Sequence, residues 1–165
     1  MPVNREFVAT EMLELASNQT EPSLKFFLQW AAFNALYRTT QQGGEGKAIR
    51  KWVRQQVLAN RQTMAERLLK DPSVTYFAST IVGAPFADDD SDQSKADENR
   101  RSLADARNAP HERLSSLCLI LYQVRNNLFH GSKSLTEPRD KKVLEEAASA
   151  LNLILVTYLG PGSGF

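Results

Sequence analysis

The sequence predicts an all-α protein, a helical bundle of four to six helices, and three observations carry that expectation. Long segments place apolar residues at spacings of three and four, the signature of one helix face. Pro stands at the start of three such segments, as Pro22, Pro110 and Pro138, and Gly follows two of them, as Gly131 and Gly160. The one β-branched stretch, Val74 to Val82, has no partner strand and is read as an apolar helical turn.

Taken in order, Asn4 is the N-cap of a first helix whose Phe7, Leu13, Leu15 and Ala16 form one apolar side up to Ser17-Asn18. A second helix starts at Thr20-Glu21-Pro22-Ser23 and runs through Phe26, Trp30, Phe33 and Tyr37. It is apolar all round, as expected of a central helix or one that also meets a second subunit. Gln41-Gln42-Gly43-Gly44-Glu45-Gly46 reads as a breaker loop. Ile49, Trp52, Val53 and Val57 then mark a third helix to about Ala59, which Met64, Leu68 and Leu69 continue or follow as a short successor. Asp71-Pro72 closes that region, because the residue before Pro is pushed out of helical dihedrals.

Residues 83–99 read as an acidic loop excursion, with a polar helix expected from Asp97 to Arg107. Ala87 to Asn99 holds six acids against Lys95, which leaves 19 basic and 13 acidic residues elsewhere in a chain of net charge +1. A body of that balance suits a polyanionic partner, and solvated charge on both sides explains it equally well. Leu114, Leu117, Leu121, Val124 and Leu128 give the clearest helix, from Pro110 to Gly131. Thr136-Glu137-Pro138 opens the last one, which Gly160-Pro161-Gly162 stops.

With 165 residues, 42% of them hydrophobic, the chain reads as a single domain spanning 1–165. No apolar run is long enough for a bilayer and no secretory signal opens the sequence, so the expected location is the cytoplasm, away from membranes. The lone Cys118 sits between leucines as a small hydrophobe. One Cys and two His supply no zinc-site spacing, so neither a metal nor another cofactor is expected.

The candidate site is Arg125-Asn126-Asn127-Leu128-Phe129-His130 at the end of the helix that begins at Pro110. Asn126 and His130, four apart, share a face, so Asn126 is placed to orient the imidazole. Arg125 and His130 are offset by about 140° on a regular helix and converge only where the last turn unwinds. A histidine at the negative end of a helix dipole favours the imidazolium form, and an arginine offers planar donors to a phosphate. Such a pair can move a proton and stabilise charge during RNA cleavage at the 2′-hydroxyl. Ordinary C-terminal capping calls for the same residue types, and chemistry alone favours the cap.

Tyr122-Gln123-Val124-Arg125-Asn126-Asn127-Leu128-Phe129-His130-Gly131 resembles the signature of HEPN domains, a superfamily of helical ribonucleases: Arg, four to six residues, then His, often with a polar residue after Arg. Trp30-Ala31-Ala32-Phe33-Asn34-Ala35-Leu36-Tyr37 is similar to the core helix of many bacterial members. The resemblance implies a HEPN-like fold and a metal-independent endoribonuclease. Its site would lie in the cleft of a homodimer, with Arg125 and His130 catalytic, Asn126 positioning a proton, and 2′,3′-cyclic phosphate ends as products. It also implies RNA as partner and a role as the toxin of a defence or toxin-antitoxin system with a cognate antitoxin. One toxin subgroup is silenced at a Tyr two residues after the motif His, where this chain has Ser132.

Around the motif, Asn127 and Lys133 are candidate RNA contacts, and Asn34 and Tyr122 candidate structural supports. Trp30, Phe33 and Tyr37 read as core rather than base-stacking residues, and His111 as a first-turn surface residue. Arg50, Lys51 and Arg54 fit an RNA-contacting stripe or a solvated face. The alternatives to a nuclease are a non-catalytic HEPN-like RNA-binding or assembly module, and a helical adaptor that oligomerises through its second helix.

Overall fold

The computed structural model describes residues 4–38, 43–58, 62–79, 90–129 and 136–160, with side chains at 90–92 left out. Among them there are eight helices and no strand: α1 (Arg5–Ser17), α2 (Pro22–Tyr37), α3 (Glu45–Leu58), α4 (Gln62–Leu68), α5 (Pro72–Ser79), α6 (Asp90–Ala104), α7 (Pro110–Phe129) and α8 (Pro138–Leu159). The class is the expected one. The count exceeds four to six because the short helices α4 and α5 and the acidic α6 are separate elements.

Local chemistry explains four of the starts. Asn4 caps α1, its Oδ1 accepting from the backbone N–H groups of Glu6 at 3.1 Å and Phe7 at 3.3 Å. Glu21 does the same for α2, accepting from Ser23 at 2.8 Å and Leu24 at 3.1 Å, with Pro22 in the first turn. Asp71 caps α5 through Ser73 N–H at 2.9 Å, which makes Asp71-Pro72 a helix start as well as a stop. At α7, Glu112 reaches back to the N–H of Ala109 at 3.1 Å. Gly160 ends α8 with φ of +79°, a conformation that L side chains rarely adopt.

Two expectations are corrected here. The acidic stretch is not a loop throughout: α6 begins at Asp90, seven residues before the expected Asp97, and ends at Ala104 rather than Arg107. It is held because Ala96 and Leu103 are buried, so a mostly polar helix still has an inner edge. In α1 the buried side is Ala9, Leu13 and Ala16, while Phe7 is 60% exposed and Leu15 51% exposed. Loose periodicity assigned them to the wrong side.

The core is assembled around α7, which meets α3, α6, α4 and α8 as well as α2. Every residue from Leu114 to Leu121 is buried, so α7 is enclosed along that stretch rather than packed by a single stripe. Helices α1 and α2 pair, and α8 lies across α2. The aromatic residues of α2 are core as expected: Trp30 packs edge-on against Phe33 at 5.3 Å, and Phe33 against Trp52 of α3 at 5.3 Å. No described helix is long and apolar enough to cross a membrane.

Candidate nucleic-acid interface

The last two turns of α7 bring the first half of the motif to the surface next to α2 and the start of α3. Val124 is buried and Leu128 partly buried, which leaves Arg125 and Asn126 on the half-exposed side. The Arg125 side chain is 29% exposed. It is fixed on three sides. Its Nη1 donates to Asn126 Oδ1 at 2.8 Å. The guanidinium lies 4.8 Å from the Phe129 ring centre and 5.9 Å from that of Tyr122. Glu45, in the first turn of α3, places Oε2 at 3.8 Å from Nη1. Arg125 Nε is buried without a hydrogen-bond partner among the described residues.

Behind the arginine, Tyr122 stacks on Trp30, with centroids 6.1 Å apart and planes 29° apart. That contact gives Tyr122 a bracing place between the core and Arg125. Tyr37 donates its hydroxyl hydrogen to Glu45 Oε1. Burial and, second, that carboxylate push the Tyr37 hydroxyl far above the usual phenol range, so it stays a donor. A chain of contacts therefore runs from Tyr37 through Glu45 to Arg125. In front, Phe129 is 54% exposed and Phe27 42% exposed, their rings 5.4 Å apart.

His130, Gly131, Ser132 and Lys133 lie outside the described residues, so the histidine half of the motif, the glycine stop and the Lys133 contact are not placed. Asn126, the expected orienter of His130, here accepts from Arg125. Asn127 corrects an expectation: only 1% of it is exposed, and its Oδ1 accepts from Gln123 Nε2 at 3.3 Å. It turns inward one position after Asn126, because successive helical residues are 100° apart, and it does not face a ligand. Asn34 is half-buried on α2, and its side chain makes no hydrogen bond among the described residues.

Sequence reasoning missed Glu45, Tyr37 and the Phe27–Phe129 pair as neighbours of Arg125. The available signal was an acid directly after Gly43-Gly44, in the position that favours a helix first turn. Nothing in the spacing told that this first turn meets the end of α7. Cys118 is fully buried, and burial pushes its thiol up to about 12, in keeping with a packing role. No group of three or more His, Cys, Asp or Glu side chains among the described residues is placed to hold a metal ion. In comparisons with known proteins, the chain matches no family model, no curated protein and no solved structure.

Proposed function

We propose that the chain is a HEPN-type endoribonuclease that works as a homodimer, with Arg125 and His130 as its catalytic pair. The observation that carries this is Arg125 itself, a half-exposed guanidinium held by Asn126, Tyr122 and Phe129 at the end of the enclosed helix α7. A positioned cation costs little reorganisation when negative charge builds on a phosphate, which is where electrostatic catalysis gains most. The exposed Phe27–Phe129 pair beside it supports a second copy as the partner, since adjacent exposed aromatics are common in buried interface cores.

In this reading the RNA 2′-oxygen attacks the adjacent phosphorus while its proton passes to a base. The bond to the 5′-oxygen breaks, and that oxygen receives a proton. The products are a 2′,3′-cyclic phosphate and a 5′-hydroxyl. His130 from one copy accepts a proton and His130 from the other delivers one, while Arg125 bears on the non-bridging oxygens. The toxin role and an antitoxin partner rest on the motif resemblance alone.

Glu45 favours a second reading, a non-catalytic RNA-binding module. A carboxylate 3.8 Å from Arg125 offsets part of the charge that catalysis would use. Incubating end-labelled RNA in EDTA with wild type and His130→Ala separates the two. New cyclic-phosphate ends from wild type only support the nuclease; RNA retained uncut by both proteins supports the binding module.

A further inference from the structure

A basic cleft lies at the opposite end of α7 from Arg125, between α3 and the C-terminal end of α6, with an open volume of about 340 Å³. His111 and Arg125 are fourteen residues apart on one helix, so the two places are separated by about 21 Å along its axis. The cleft is therefore not part of the motif site.

Two arginines form one wall. Arg50 and Arg54 are a turn apart on α3, both exposed, and neither makes an ion pair among the described residues. The floor is polar and built. Ser116, 2% exposed, donates its hydroxyl to Ser102 Oγ at 2.9 Å, and Asn108 Nδ2 donates to Ser102 O at 3.0 Å. Beside them Ser115 is 4% exposed, and its hydroxyl has no hydrogen-bond partner among the described residues. What little of Ser115 is exposed lies in the lining of the cleft, which leaves its hydroxyl open to a ligand there.

The start of α7 adds to this. Pro110 has no N–H, and the N–H of Ala109 is taken by Glu112 Oε2 at 3.1 Å. His111, which lines the cleft, keeps its backbone donor at the positive end of a 20-residue helix. Glu112 is the acid in the cleft, and its carboxylate is engaged in that cap. Two planar cations, a hydroxyl donor and a helix N-terminus converge on a volume at the lower end of small-ligand sites.

We infer that this cleft binds a phosphate monoester, with Arg50 and Arg54 on its oxygens and Ser115 donating from the floor. A free small ester and the 5′-phosphate of an RNA end share that chemistry. The site stands whether or not Arg125 cleaves RNA.

The test is calorimetric titration of the full chain with inorganic phosphate, adenosine monophosphate, and one oligoribonucleotide carrying either a 5′-phosphate or a 5′-hydroxyl. The expected result is saturable binding of the monophosphate, weakened at least tenfold by Arg50→Gln or Arg54→Gln, weakened by Ser115→Ala, and unchanged by Arg125→Ala. Both arginines are exposed, so their replacements leave the core intact. Much tighter binding of the 5′-phosphorylated oligonucleotide than of its 5′-hydroxyl form, lost on Arg50→Gln, assigns the site to RNA ends; equal affinity of the two forms, with the monophosphate bound, assigns it to small esters. No saturable binding at millimolar ligand, or binding indifferent to Arg50 and Arg54, overturns the inference.

Discussion

At the scale of single residues, Arg125 is set by opposing neighbours. Asn126 and the aromatic rings hold it, and Glu45 draws on its charge from 3.8 Å. Because both side chains are more than a quarter exposed, that ion pair is worth under about 1 kcal/mol. Glu45→Gln should therefore leave the thermal midpoint nearly unchanged while raising affinity for RNA several-fold in a low-salt filter-binding assay. An unchanged or lower affinity would mean that Glu45 orients the arginine more than it neutralises it. Cys118 gives a second check. Its thiol is raised to about 12 from an ordinary 9.0, so the folded state keeps the proton where the unfolded chain loses it. The resulting stability is complete below about pH 9 and is lost as pH rises toward 12. Urea midpoints should fall between pH 8.5 and about 10.5, and by less in Cys118→Ala, with Tyr37 adding to the fall in both.

At the scale of elements, legibility followed how strongly each pattern was punctuated. Helices α7 and α8 were readable from Pro110, Pro138 and their leucine spacing, and α1 from the Asn4 cap, because those signals are local. Helix α6 was readable only from Asp97 on, since Asp88 to Asp97 carries charge without periodicity; among its described residues Ala96 and Leu103 are the buried apolar ones. Gly46 shows a similar limit. It reads as part of a breaker loop, yet it lies in the first turn of α3, where an added Cβ would sit 3.5 Å from Leu119 Cδ2. That is ordinary van der Waals contact, and the position has no need of glycine's freedom. Gly46→Ala should stabilise the fold by about 0.4–1 kcal/mol, read as a higher urea midpoint with an unchanged slope. A loss of stability would show that α3 and α7 tolerate no extra atom at their crossing.

At the scale of the whole molecule, the enclosure of α7 is what holds Arg125 in place. Its buried run from Leu114 to Leu121 fixes the axis, and the motif arginine projects from the last turns of that fixed element. The sequence carried the motif and the helix that bears it. It did not carry the approach of α3, which brings Glu45 to Arg125 through tertiary packing, nor the inward turn of Asn127, which depends on what covers α7. The same packing separates two cationic places at the two ends of one helix, with an apolar interior between them.

The measurement that bears most directly on the central claim is single-turnover cleavage of end-labelled RNA in EDTA by wild type and Arg125→Ala, at matched folded concentration. Wild type should generate 2′,3′-cyclic phosphate ends, and the variant should be slower by about 10²–10³-fold, the usual cost of removing one transition-state donor. Equal rates for the two proteins, or RNA bound by wild type but never cut, would contradict the account.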